Sequence, residues 1–249
     1  MLKLLTHFCR YVLEKGSNMS TPSSKGPGPA VREVQLQLPL TAADVQALEL
    51  GDAVFLNGLV FTGREGVYRQ IFEHGIDPPF DMRQTCNVTF HCSPAVSEPS
   101  PGQYNVSAVT ATASFRFAKH VPLMIERYGI RAVIGKGGMQ EEIYQSAFRP
   151  HGAIYLTTVG YGIGAMYGRG IKRVKDVYWK EELGLAQAMW VLEVEHFGPF
   201  LVECDVEGRS LFSRANAEVN EIFKPLYDGL PQPALKRLGE VSSPMEEML

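Results

Sequence analysis

From residue 34 onward the apolar and polar positions switch repeatedly between two periods. Val34–Leu38 alternates residue by residue, as a half-buried strand does. Thr41–Leu48 changes to a helical period. Thr41 offers a side-chain cap there, and Asp44 falls in the first turn, where a carboxylate meets unpaired N–H groups. Gly51-Asp52 turns the chain into Ala53–Phe61, an apolar run of strand length. Thr62-Gly63-Arg64 ends that run, and Glu65–Phe72 returns to a helical pattern. Cys86–His91 alternates again and reads as a strand closed by Ser93-Pro94. After a Pro- and Gly-rich turn, the Thr- and Val-rich segment Val106–Thr112 predicts a further strand.

Phe117, Val121, Met124, Ile125 and Tyr128 mark one helical face. Pro122 cannot occupy a helix interior without cost, so a late start or a kink is expected there. Ala132–Ile134 reads as a short strand, Gly135-Lys136-Gly137-Gly138 as a glycine turn, and Met139–Phe148 as a helix. Ile154–Val159 is another strand, followed by the glycine-rich stretch 160–170. Val174–Trp179, Met189–Val194 and Phe200–Cys204 complete the strands, with a closing turn at Asp205 and Gly208. Strands at both ends with strand–helix alternation between them predict an α/β body with at least one mixed sheet.

The ends depart from this pattern. Residues 1–33 read as a disordered leader. Glu14 is the sole acid of residues 1–32, and the stretch from Ser17 to Pro29 has nothing from which to build a core. Two readings stay open: an extension with Met19 as an alternative start, or a mitochondrial-type transit peptide. Thr6, His7 and Arg10 break the apolar stretch that a secretory signal needs. Residues 215–249 read as a surface-docked tail with one amphipathic turn at Val219–Tyr227. The folded body is therefore expected over 34–214.

Composition narrows the function classes. A net charge of −3 over 249 residues argues against a protein devoted to nucleic acid. The apolar runs fall short of the roughly 18–20 residues that span a bilayer. A body of this size buries about 70% of its unfolded surface and needs no disulfide scaffold. Cys9, Cys86, Cys92 and Cys204 are dispersed and match neither a zinc nor a cluster spacing, and Cys86 and Cys92 are expected to be buried thiols.

The chemistry-bearing feature is positional. Arg64, Arg116 and Lys136 each lie where a predicted strand hands over to a predicted helix. In open α/β sheets the ligand crevice forms at the carboxyl ends of the strands, and helix N-termini there favour anions. Gly63, Gly135, Gly137 and Gly138 are expected to let the backbone approach a ligand. Three cations and free N–H groups suit a small dicarboxylate or phosphate; the alternative is three solvated surface charges. Gly135–Met139 lacks the P-loop spacing. Gly160-Tyr161-Gly162-Ile163-Gly164-Ala165 matches G-x-G-x-x-A but leaves too little helix for a dinucleotide-binding unit. Close helix–sheet packing is the expected role of those glycines. No Ser sits in G-x-S-x-G, so a hydrolase triad has no anchor.

Four blocks, GLVFTGREGVYR, TATASFRF, IGKGGM and AMWVLEVEHFGPFLVECDVEG, together resemble the beta region of the iron–sulfur hydro-lyases: class I fumarate hydratase and L-tartrate dehydratase. The resemblance covers roughly 36–212. It implies a swivelling β/β/α domain with a mixed sheet, working as the partner of an alpha subunit that holds the [4Fe-4S] cluster. By that likeness Arg64, Arg116 and Lys136 bind a dicarboxylate and Thr112 is catalytic, with no metal ligand on this chain. The implied reaction is reversible hydration of a C4 acid, fumarate/malate first, L-tartrate as the alternative. A non-catalytic interaction subunit is the competing reading. The sequence departs from the family's R-D-x-x-H at Glu65 and Tyr68, and from its G-P-T-T at Thr110–Ala113. The implied location is cytoplasmic, or mitochondrial if the leader is a transit peptide, with no nucleic-acid or membrane partner.

Overall fold

The computed structural model describes residues 31–160 and 162–227. Residues 1–30 of the expected leader and 228–249 of the expected tail lie outside them. In chain order the strands are β1 (Glu33–Gln37), β2 (Ala53–Thr62), β3 (Val88–Phe90), β4 (Cys92–Ser100), β5 (Gln103–Ala111), β6 (Ala132–Gly135), β7 (Ile154–Thr158), β8 (Ile171–Tyr178) and β9 (Met189–Cys204). The helices used below are α1 (Ala42–Gln46), α2 (Glu65–Phe72), α3 (Val121–Tyr128), α4 (Gly164–Arg169) and α5 (Leu211–Tyr227). A helical stretch between β6 and β7 runs through Glu141–Ile143, a π-helical Tyr144–Phe148, and Arg149–His151.

Seven strands form a mixed sheet in the order β1-β2-β3-β6-β7-β9-β8. β1, β2, β3, β6 and β7 are parallel to their neighbours, and β9 runs antiparallel to β7, β8 and β2. Because β9 pairs with both β2 and β7, the strands β2-β3-β6-β7-β9 close into a ring. β4 and β5 form a separate antiparallel hairpin. The expected α/β body with a mixed sheet is what the chain forms.

Side chains alternate along the strands and feed two cores. Val54, Leu56, Phe90, Ile134, Leu156 and Val202 join one core, shared with hairpin residue Val109 and with Tyr167 of α4. Phe61, Val133, Tyr155 and Val191 join the other, built against Val67 and Ile71 of α2 and Met124 and Ile125 of α3. The layers are thus hairpin, main sheet and helices.

Local chemistry explains the elements that the sequence predicts. Thr41 and Asp44 form a reciprocal capping box at the start of α1. Pro122 sits in the first turn of α3, where its missing N–H costs nothing, so the helix starts late at Val121. Gly129 then ends α3 in the left-handed region, φ 66°.

Four expectations are corrected. Ser93-Pro94 does not close a strand; it lies inside β4, an edge of the two-stranded hairpin, where Pro needs no ladder donor. Met189–Val194 and Phe200–Cys204 are one 16-residue strand, β9. Gly198 serves close approach rather than a break: a β-carbon there would lie 2.5 Å from the Val54 carbonyl oxygen. The C-terminal helix is no single turn: α5 starts at Leu211 and runs across residue 215. The sharp Asp205–Gly208 turn is as expected, with Asp205 accepting from the Glu207 and Arg209 amides. Finally, Lys136 is not at a helix N-terminus, since the next helix starts at Glu141.

Candidate active site

The parallel strands β2, β3, β6 and β7 all end at one edge. Arg64 follows β2 as the N-cap of α2. Its guanidinium donates through Nη1 to Ser93 Oγ and, at 3.0 Å, to the Ala186 carbonyl. Ser93 opens the hairpin beside Thr110 in register. Thr112 follows the other hairpin strand, and its amide donates to the His91 carbonyl at 2.6 Å. One residue on, Ala113 bridges Lys136 in parallel fashion, and the Ser114 amide donates to the Lys136 carbonyl at 3.2 Å. The main chains at Arg64, Thr112 and Lys136 are therefore stitched to the ends of the adjacent strands β2, β3 and β6.

Arg116 is different. It lies in the 3-10 turn Ser114–Phe117, exposed to solvent beside the exposed ring of Phe115. It sits two residues from Ser114 and so borders the same edge. Lys136 and Thr112 are half-buried.

Beneath this edge runs a buried polar chain that the sequence reading does not contain. Tyr155 Oη donates to Ser114 Oγ at 2.6 Å, Ser114 Oγ meets His91 Nδ1 at 2.7 Å, and His91 Nε2 meets Tyr68 Oη at 2.7 Å. All four residues are fully buried. Burial pushes the His91 imidazole down to about 3 and raises the Tyr68 phenol. The ring is therefore neutral at any ordinary pH. Tyr68, at the histidine position of the R-D-x-x-H pattern, thus faces an imidazole supplied from the end of β3. A polar residue directly after an apolar strand was the signal available for His91; nothing in the sequence pairs it with residue 68.

This chain corrects the role assigned to two glycines. A β-carbon at Gly63 would lie 2.4 Å from Tyr68 Oη, and one at Gly135 would lie 2.0 Å from Ser114 Oγ. Those glycines make room for buried hydroxyls, not for a ligand. Gly137 and Gly138 differ: both have positive φ, 78° and 71°. In the 160–165 run, Gly164 does pack on the hairpin, with a β-carbon position 2.9 Å from the Val109 carbonyl oxygen.

A second buried group supports the Lys136 loop. Tyr144 Oη donates to Glu203 and accepts the Met139 amide at 2.8 Å. Ser210 Oγ donates to the other Glu203 oxygen at 2.5 Å. Burial pushes the Glu203 carboxyl above the usual range, opposed by these hydrogen bonds.

The described thiols do not fit an iron–sulfur cluster. Cys86, Cys92 and Cys204 are each fully buried in separate places, and burial raises all three thiols. No group of three or more His, Cys, Asp or Glu among the described residues converges as metal ligands. Nor is any described helix long and apolar enough to cross a membrane.

Residues 8–215 match the protein family described as Fumarase C-terminus. The chain is 35% identical over 190 residues to "Putative L(+)-tartrate dehydratase subunit beta" of Methanocaldococcus jannaschii, covering 75% of this chain and 95% of that relative. It is 28% identical over 193 residues to L(+)-tartrate dehydratase subunit beta of Escherichia coli K12, covering 78% and 91%. A third relative, "Putative fumarate hydratase class I" of Geobacillus stearothermophilus, is 34% identical over 180 residues, which cover 72% of this chain but only 34% of that longer protein.

Proposed function

The chain belongs to the Fumarase C-terminus family, and from that premise we propose that it is the beta subunit of a hydro-lyase that adds water to, or removes it from, a C4 dicarboxylate. One observation carries the reading: Arg64 follows β2, Lys136 follows β6, and Thr112, just past hairpin strand β5, is held by its amide on the His91 carbonyl at the end of β3, so that the three residues come from the ends of three adjacent parallel strands or are bonded to them. Dehydration of such an acid removes a proton from the carbon beside a carboxylate, and charge builds on that carboxylate. Fixed cations stabilise it more in the transition state than in the ground state. In this reading Arg64 is the bidentate partner, Lys136 a point charge, and Arg116 a further cation at the rim. Thr112 takes the proton as an alkoxide, a state that the neighbouring positive charge favours, and becomes the neutral hydroxyl.

The partner is an alpha subunit, in keeping with relatives named as beta subunits. The [4Fe-4S] cluster of this reading belongs to that partner. Fumarate/malate is the substrate we place first, while the four sequence blocks fit fumarate hydratase and L-tartrate dehydratase alike. L-tartrate is the second reading, favoured by two relatives of which over nine-tenths is covered. Anaerobic co-expression with an alpha-type subunit, followed by assay on fumarate, malate, L-tartrate and mesaconate, tests the proposal. A copurifying complex with hydro-lyase activity supports it. A complex inactive on every C4 acid would favour the non-catalytic reading, and full activity from this chain alone would contradict the subunit assignment.

A further inference from the structure

His91 is connected to the Thr112, Lys136 and Arg64 segments of the candidate site. Its amide donates to the Ile134 carbonyl at 2.8 Å, two residues before Lys136. Its carbonyl accepts the Thr112 amide at 2.6 Å. Nδ1 reaches Ser114, whose amide holds the Lys136 carbonyl, and Nε2 reaches Tyr68, one helical turn into the helix that Arg64 caps. The Phe117 ring packs against the imidazole at 4.7 Å between centroids. A buried ring hydrogen-bonded at both nitrogens has one orientation, so its main-chain carbonyl is fixed as well.

The proton order follows from the partners. Tyr155 donates to Ser114 Oγ. If Ser114 then donates to Nδ1, Nε2–H donates to Tyr68 Oη and every nitrogen is satisfied. The opposite tautomer makes Ser114 Oγ accept twice and leaves its own proton without a partner in the chain.

We propose that His91 is the positioning residue of this site: its main-chain carbonyl holds the Thr112 amide, its amide and the Nδ1–Ser114 contact hold the Lys136 strand end, and the Nε2–Tyr68 contact holds the helix that Arg64 caps. The inference rests on the reading of Thr112 as the proton acceptor. His91 touches no substrate in this account and transfers no proton. Losing either ring contact leaves a buried polar group unpaired and lets Thr112 drift. Misplacement of a reacting group by about 1 Å lowers rate on the order of 100-fold.

The test uses the full chain, alone and in complex with its alpha-type partner. Tyr68→Phe removes the Nε2 contact and Ser114→Ala the Nδ1 contact, each by a small change that preserves packing; His91→Leu removes both. In the chain alone, hydrogen exchange at the Thr112 amide should quicken about tenfold or more in Tyr68→Phe and Ser114→Ala, with the Val133 and Leu156 amides unchanged. In the complex, kcat should fall on the order of 10–100-fold with KM within about threefold. His91→Asn, which can still accept from Ser114, should recover part of the kcat lost in His91→Leu. It should also leave the limbs of the pH–rate profile where they are, because the native ring does not titrate there. Unchanged Thr112 exchange in folded variants, or a shifted acid limb in His91→Asn, would overturn the proposal. Wild-type inactivity on C4 acids with quickened exchange in the variants would instead overturn the hydro-lyase reading and keep the positioning role.

Discussion

The β2 and β6 ends look alike in sequence and behave differently in the fold. Each gives a glycine followed by a cation, Gly63-Arg64 and Gly135-Lys136, and each glycine is demanded by a buried hydroxyl. After that they diverge. Arg64 immediately caps α2, and its guanidinium is pinned to Ser93 and the Ala186 carbonyl. Lys136 leads into a four-residue run, Gly137–Gln140, whose two glycines have positive φ, before the next helix at Glu141. That loop is steadied from beneath by Tyr144 and Glu203. The lesson is that one junction passes straight into a helix and pins its cation on the hairpin, while the other ties its main chain to Ser114 and steadies a short glycine loop from a buried Tyr144–Glu203 pair.

The sharpest break of this comparison is Gly135→Ala. Its β-carbon would overlap Ser114 Oγ and also lie 2.6 Å from Tyr155 Oη. Overpacking plus a lost buried hydrogen bond should cost ~3–5 kcal/mol, read by denaturant unfolding, with Gly63→Ala in the same class. Next, Arg64→Ala should lower kcat/KM of the complex roughly 10–150-fold, the loss of one charge-assisted carboxylate contact. Arg64→Lys should recover little, because an ammonium cannot reproduce the fork. Lys136→Arg, which keeps the positive charge that a point-charge role needs, should cost less than about tenfold. If the two conservative swaps cost the same, the contrast between the junctions is wrong. Thr112→Val should lower kcat with little change in KM, as a shape-preserving loss of a reacting group does.

Smaller effects sharpen the loop side. Gly137 has φ 78° but no heavy atom near its β-carbon position, so Gly137→Ala should cost only ~1–2 kcal/mol, from backbone strain alone. Glu203 gives a pH signature. Its folded carboxyl is raised by burial, so the native state binds the proton more tightly than the unfolded chain. The stability that Glu203 contributes should therefore be fully present below the ordinary glutamate range and be lost as pH rises through the raised folded value. Urea midpoints of Glu203→Gln should show a flatter slope across that window. An unchanged slope would mean that Glu203 is not the group responsible.

How much of this was legible in the sequence varies by element. The Thr41–Asp44 cap, the extent of α2 and the late start at Pro122 were readable because each depends on neighbours along the chain. β4 was missed because Pro94 reads as a strand breaker, whereas an edge of a two-stranded hairpin tolerates it. β9 was split at Gly198-Pro199 because close approach to β2 has no local signal. In the site, the positions of Arg64 and Lys136 followed from strand ends, but their glycines were assigned to a ligand. The groups that need those glycines, Tyr68, Ser114 and Tyr155, come from three distant segments. The His91 chain likewise spans residues 68 to 155 and exists only once the strands are side by side.

The central claim is that the two unlike junctions serve one carboxylate. A double-mutant cycle on kcat/KM of the complex, with Arg64→Ala, Lys136→Ala and the pair, tests it most directly. One shared site predicts that the double variant loses much less than the product of the single losses, a coupling of about 0.5–3 kcal/mol. Strict additivity, with each variant losing independently, would contradict it.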